Sequence, residues 1–147
     1  MLGNSLEIKQ DLLQQLSTEF DYSNIIGYGL EIVQISCIKI LREQSPEDFE
    51  MQYFRTEERN TANFLPNHLQ YFAGRFAAKK AVITALNQEW NQHISWLDLE
   101  IQRLPSGAPS VMLSGQYQEI AASLGITKLL VSISHTSFYA IANAIAI

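Results

Sequence analysis

Between Asn67 and Asn87 the chain reads NHLQYFAGRFAAKKAVITALN, a proline-free run that tolerates only one kind of surroundings. Wound at about 100° per residue, it places Leu69, Phe72, Phe76, Ile83 and Leu86 on one side and Gly74, Ala77, Ala78, Ala81 and Ala85 on the other. The large face needs a core. The glycine and alanine face lets another backbone approach closely and carries no charge for solvent, so the helix is predicted to be enclosed on both sides. A matching surface lies at the C-terminal end, where Ala140, Ala142, Ala144 and Ala146 alternate with Ile141, Asn143, Ile145 and Ile147. That spacing predicts a strand with one small face and one mostly branched apolar face.

The remaining segments are read by period. Ile8, Leu12, Leu13, Leu16 and Phe20 recur at helical spacing, so residues 1–22 read as a helix appended to a body over residues 25–147. IIGYGLEIVQISCIKI, from Ile25 to Ile40, begins as a strand with Ile26, Tyr28, Leu30 and Ile32 alternating and turns helical after Val33. Glu43 to Glu58, broken by Pro46, reads as a short helix and a loop leading to FRTEER. Asn87 to His93 reads as a loop, Trp96 to Arg103 as a half-buried strand, and PSGAP, Pro105 to Pro109, as a turn. Ser110 to Leu113 returns as a strand, Tyr117 to Leu124 is helical with Gly125 at its end, and Leu129 to Ile133 reads as a buried strand. Helices mixed with hairpin-like strands, without repeat or linker, predict one α+β domain: an antiparallel-rich sheet packed on a long buried helix.

Charge narrows the possible partners. Ten Lys and Arg against fifteen Asp and Glu give a net charge of −5, so no field favours nucleic acid or an anionic membrane. Glu7 and Asp11 stand where a signal peptide carries basic residues, and no apolar stretch reaches membrane-spanning length, which points to a cytoplasmic protein. Cys37 alone excludes an internal disulfide and a multi-thiolate zinc site. Only 17% of the residues are charged, against about 25% in a typical chain. So little charge predicts that part of the surface is hidden against copies of the same chain.

There is no Walker loop, no GxGxxG and no HExxH, and His68, His93 and His135 are scattered. Three oddities remain: Glu31 inside an apolar strand run, the cations Arg75, Lys79 and Lys80 on a packed helix, and SISHTS at Ser132 to Ser137. Each has a plain reading. Glu31 fits the exposed side of a half-buried strand, Lys79 fits a stem that covers apolar surface while its ammonium reaches water, and His135 fits a hydrogen-bonded structural residue. Taken together they read differently. Arg75 and Lys79 at i,i+4 form a two-cation row suited to phosphate, and SISHT adds hydroxyls and an imidazole, which implies a phosphorylated small-molecule ligand.

GYGLEIVQI (Gly27 to Ile35), YFAGRFAAKKAVITAL (Tyr71 to Leu86), PSGAP and VSISHTSFYAIA (Val131 to Ala142) resemble, in order and spacing, holo-acyl-carrier-protein synthase, a 4'-phosphopantetheinyl transferase. The resemblance runs from about Ile25 to the end of the chain. It implies an α+β homotrimer that binds coenzyme A in clefts between subunits, with Mg²⁺ on the pyrophosphate, and moves the phosphopantetheine arm to a carrier-protein serine, releasing 3',5'-ADP. By position, Glu31 matches the family's first metal-binding carboxylate and, with Lys79 and Lys80, falls in its catalytic region. Arg75 and Lys79 match the AGRFAAK cations, and Gly107, Pro109, Ser134, His135 and Thr136 match the coenzyme-A-facing turns.

The chain also departs from that pattern. The family's second metal carboxylate, a Glu directly after Lys79, is Lys80 here, and its Lys one turn later is Thr84. Glu31 is long enough to reach across and pair with Lys80, giving the site an internal cation. Three readings follow: a working transferase with an altered metal site, a silent relative that binds coenzyme A or a carrier protein without transfer, and a structural subunit.

Overall fold

A computed structural model describes residues 24–89, 93 and 95–147, together with Glu7, Gln10 and Asp11. The predicted N-terminal helix therefore lies outside the described residues. The body opens with strand β1 (Gly27–Gln34) and runs through helices α1 (Ile35–Gln44), α2 (Pro46–Tyr53), α3 (Thr56–Asn63) and α4 (His68–Ala85). A single 3₁₀ turn (Trp96–Asp98) leads into β2 (Leu99–Arg103) and β3 (Pro109–Leu113), followed by α5 (Gly115–Ser123), β4 (Leu129–His135) and β5 (Tyr139–Ala146). The fold is α+β. β5 lies between β1 and β4 in one antiparallel sheet, and β2 and β3 form a separate hairpin.

Helix α4 crosses the inner face of the three-stranded sheet. Its small-residue side meets Ala140, Ala142, Ala144 and Ala146, all buried, and the backbones come so close that only glycine fits on β1. A Cβ on Gly27 would stand 1.8 Å from the Ala85 carbonyl oxygen, and one on Gly29 2.0 Å from that of Ala81. The other side of α4 carries Phe72 against Phe54 at 4.8 Å between ring centroids, while Phe76 stacks on Trp96 at 4.9 Å. Enclosure on both sides is thus the observed state. The helix stops at Asn87, whose φ of 57° is the left-handed conformation asparagine tolerates at a helix end.

Four expectations need correction. Glu43 to Glu58 does not fall into a loop: Pro46 opens α2 rather than ending a helix, and Thr56 begins α3. Trp96 to Asp98 is helical, so the strand starts only at Leu99. β4 is half exposed instead of buried, because none of the described helices covers one of its faces. The facing of β1 is inverted. Gly27, Gly29 and Val33 point inward, with Glu31 on their side, whereas Tyr28, Leu30 and Ile32 point outward at 54%, 52% and 59% exposure. The apolar alternation is real, yet α4 packs so tightly on the glycines that the large side chains must take the other face.

Candidate active site

Residue by residue, the predicted site separates into two groups on opposite edges of α4. Tyr71 and Arg75 lie on the edge beside β4, and Lys80 and Thr84 on the edge beside β1, roughly 140° around the helix from Arg75 to Lys80. The sheet separates the groups likewise. Glu31, Ala142 and Ile133 stand in one row across β1, β5 and β4, so Glu31 and the β4 residues are two strand spacings apart, about 10 Å.

On the β4 side, Arg75, Gly107, Pro109 and His135 line one cleft of about 430 Å³, with Tyr71 and Arg103. Arg75 is 9% exposed, and its guanidinium lies 4.7 Å from the Tyr71 ring centroid. Its Nε, buried, has no hydrogen-bond partner. A guanidinium this dry is normally paired with an anion, so the cleft is built to receive one. Gly107, at φ 89°, supplies a turn that a side chain would strain, and a Cβ there would face the Arg103 guanidinium at 3.7 Å. Arg103 escaped the sequence reading; its only signal was a cation closing the strand before PSGAP.

Three predicted members do not join them. Ser134 alternates with His135 along β4 and shares its outward row with Ile141 and Ile32, away from the cleft. The Thr136 hydroxyl accepts from the backbone N–H groups of Phe138 and Tyr139, both at 3.1 Å, and so organises the β4–β5 turn. Lys79 neither snorkels nor faces a ligand. It is fully buried, and its ammonium donates to Glu58 Oε1 at 2.7 Å, the Tyr53 carbonyl at 2.7 Å and the Trp96 carbonyl at 3.3 Å. Glu58, itself 2% exposed, also accepts from the N–H groups of Arg55 at 3.0 Å and Ile101 at 3.3 Å. Burial pushes the Glu58 carboxyl up and the Lys79 ammonium down, and each is drawn back by the other's charge. The two-cation row of Arg75 and Lys79 therefore divides into one group that lines the cleft and one that joins α2, α3, α4 and β2.

On the β1 side, Glu31 is half buried against α4. The Thr84 hydroxyl lies 3.3 Å from Glu31 Oε1 and 3.2 Å from the Lys80 carbonyl oxygen, sharing its one proton between them. The Lys80 ammonium stands 5.7 Å from the Phe76 ring centroid on the same edge. Magnesium takes oxygen ligands and is held by one or two carboxylates. Here Glu31, bonded by the Thr84 hydroxyl, has Lys80 where the resemblance implies a second carboxylate, and the described residues hold no group of three His, Cys, Asp or Glu placed to bind a metal. The donor set does not fit the two-carboxylate magnesium site implied by the resemblance.

The chain belongs to the 4'-phosphopantetheinyl transferase superfamily, whose family model matches residues 27–142. More narrowly, it is 40% identical over 121 residues to the holo-[acyl-carrier-protein] synthase of Natranaerobius thermophilus, covering 82% of this chain and 96% of that protein. The Helicobacter pylori holo-[acyl-carrier-protein] synthase, solved in complex with coenzyme A, superimposes with a TM-score of 0.72 at 28% identity, covering 82% of this chain and 99% of that one. The Neisseria meningitidis holo-[acyl-carrier-protein] synthase shares the fold with a TM-score of 0.77 at 24% identity, over 84% and 98% of the two chains.

Proposed function

We propose that this chain transfers the 4'-phosphopantetheine arm of coenzyme A to a serine hydroxyl of an acyl-carrier-type protein, releasing 3',5'-ADP. In the step, the serine oxygen forms a bond to the β-phosphorus while the bond from that phosphorus to the bridging oxygen breaks. The serine proton leaves to a base and 3',5'-ADP departs with the bonding pair. The observation that carries the reading is the buried guanidinium of Arg75, its Nε without a hydrogen-bond partner, in a cleft shared with His135, Gly107 and Pro109. Arg75 holds phosphate oxygens, Arg103 and His135 add donors at the mouth, and the glycine turn lets the nucleotide approach backbone. Glu31 is the acceptor for the serine proton. Lys79 acts by position only, fixing α4 beneath Arg75.

The reading includes self-association. The outer face of the sheet presents Tyr28, Leu30, Ile32, Leu130 and Ile141, each more than a third exposed, with none of the described helices over it. A homotrimer packed through this face hides the patch and brings the Glu31 edge of one copy against the Arg75 cleft of the next. Among the described residues no helix is long and apolar enough to cross a membrane. The cytoplasm is the working compartment we propose.

The test is incubation of the full chain with coenzyme A and purified apo acyl carrier protein, followed by mass measurement of the carrier. A gain of one phosphopantetheine group is expected. Calorimetric coenzyme A binding without that gain selects a silent binder, and neither signal refutes both.

A further inference from the structure

With Glu31 as the acceptor for the serine proton, the position of its carboxylate decides how often the proton can be taken. A glutamate side chain left to itself spreads over several rotamers and meets a reacting hydroxyl in only a fraction of them. The backbone beneath it is fixed, because β1 lies against α4 through Gly27 and Gly29, where a Cβ would collide with α4 carbonyls. The side chain needs a fixed partner of its own, and the half-buried Thr84 is placed to be one. Its Oγ1 stands 3.3 Å from Glu31 Oε1, a contact across 53 residues of sequence, and 3.2 Å from the Lys80 carbonyl oxygen. Of these acceptors the carboxylate is the stronger. It carries charge, whereas a carbonyl inside a helix already accepts from the N–H four residues on. The approach to that carbonyl in turn selects the threonine rotamer, so the donor offered to Glu31 is itself stationary. A donor on one carboxylate oxygen leaves the other with its lone pairs open.

We infer that Thr84 is a positioning residue for the transfer: its hydroxyl, donated to Oε1, holds the Glu31 carboxylate in the conformation that takes the carrier serine's proton on Oε2. The inference rests on the phosphopantetheine-transfer reading above. It adds which residue aims the base.

The test is transfer from coenzyme A to purified apo acyl carrier protein, read by the mass of the carrier, on the full chain and its variants in saturating magnesium chloride. Thr84→Val, nearly isosteric, loses one hydrogen bond to a charged group and is expected to lower kcat about 10- to 100-fold, with KM for coenzyme A within about twofold of the parent. Thr84→Ser restores the hydroxyl on a freer rotamer and is expected to bring kcat back to within about threefold of the parent. Glu31→Gln is expected to be slower than Thr84→Val, and adding Thr84→Val to it should change nothing further, because the base that the hydroxyl aims is gone. A thermal scan verifies folding, and Thr84→Ala is the second variant without the hydroxyl. A folded Thr84→Val or Thr84→Ala chain with the parent's kcat overturns this inference and leaves the transfer reading standing. So does a Thr84→Ser chain as slow as Thr84→Val, or a Thr84→Val loss of equal size in the Glu31→Gln background. A Glu31→Gln chain at the parent's rate overturns Glu31 as the base and this inference with it. A carrier that gains no phosphopantetheine from the parent chain overturns the transfer reading as well.

Discussion

Replacing Lys79 by methionine keeps most of the side-chain volume and removes one charge from the middle of the molecule. What remains is Glu58, 2% exposed, with its strongest partner gone. Breaking a buried ion pair costs about 3–5 kcal/mol, because the surviving charge is left without compensation. The lower part of that range applies, since the Arg55 and Ile101 N–H groups still solvate the carboxylate. At an unfolding entropy of about 2.1 cal/mol/K per residue, 147 residues lose roughly 10 °C of melting temperature for about 3 kcal/mol. The assay is a thermal scan, with coenzyme A calorimetry on the same samples well below the transition. Lys79→Met should melt about 10 °C lower and still bind coenzyme A within about threefold of the parent, because the ammonium faces Glu58, Tyr53 and Trp96 and not the cleft. Adding Glu58→Gln should return part of the loss, with a coupling of about 1–2 kcal/mol, since the charge is removed and the amide oxygen keeps one of the two N–H hydrogen bonds, which reach different carboxylate oxygens. A Lys79→Met chain that melts with the parent, or that loses coenzyme A affinity while fully folded, refutes the assignment of Lys79 to the core.

Arg75→Met should show the reverse pattern. Removing a dry cation with an unpartnered Nε leaves the free protein as stable or more so, while coenzyme A binding weakens by about 2 kcal/mol, roughly 30-fold, in calorimetry. Gly29→Ala sets a methyl 2.0 Å from a backbone oxygen of α4, which cannot swing aside as a side chain does, and should cost about 3 kcal/mol in denaturant unfolding. Ile32→Glu, on the open sheet face, should convert a trimer to a monomer in sedimentation velocity. A parent chain that already sediments as a monomer counts against the proposed assembly.

What the sequence revealed depended on whether a residue's neighbours lie close along the chain. The two-faced α4 and the alanine strand were legible because each carries its period within itself, and Arg75, Gly107, Pro109 and His135, grouped by the family resemblance, line one cleft. Lys79 was misplaced because its partner Glu58 lies 21 residues away on a segment read as loop. Nothing local distinguishes an ammonium that reaches a ligand from one that reaches a buried carboxylate. β1 failed differently. Alternation fixes which residues share a face, and only the contact of Gly27 and Gly29 with α4 decides which face turns inward.

That inverted strand explains why one protomer holds two half-sites. With glycines inward, α4 sits so close to the sheet that the polar side chains beside the sheet, Arg75 and Lys80, stand at its two lateral edges, and the edges point to opposite sides of the body. Arg75 looks out over β4 and Lys80 over β1, with β5 between the strands. A pyrophosphate lying against one edge cannot reach the other without passing through the alanine contact, where no polar side chain stands. The same inversion sends Tyr28, Leu30 and Ile32 outward, and in the proposed trimer covering them would bring the β1 edge of one copy to the β4 cleft of another. Glycine in the first strand thus sets both the distance of the helix from the sheet and which face of β1 carries its large apolar side chains.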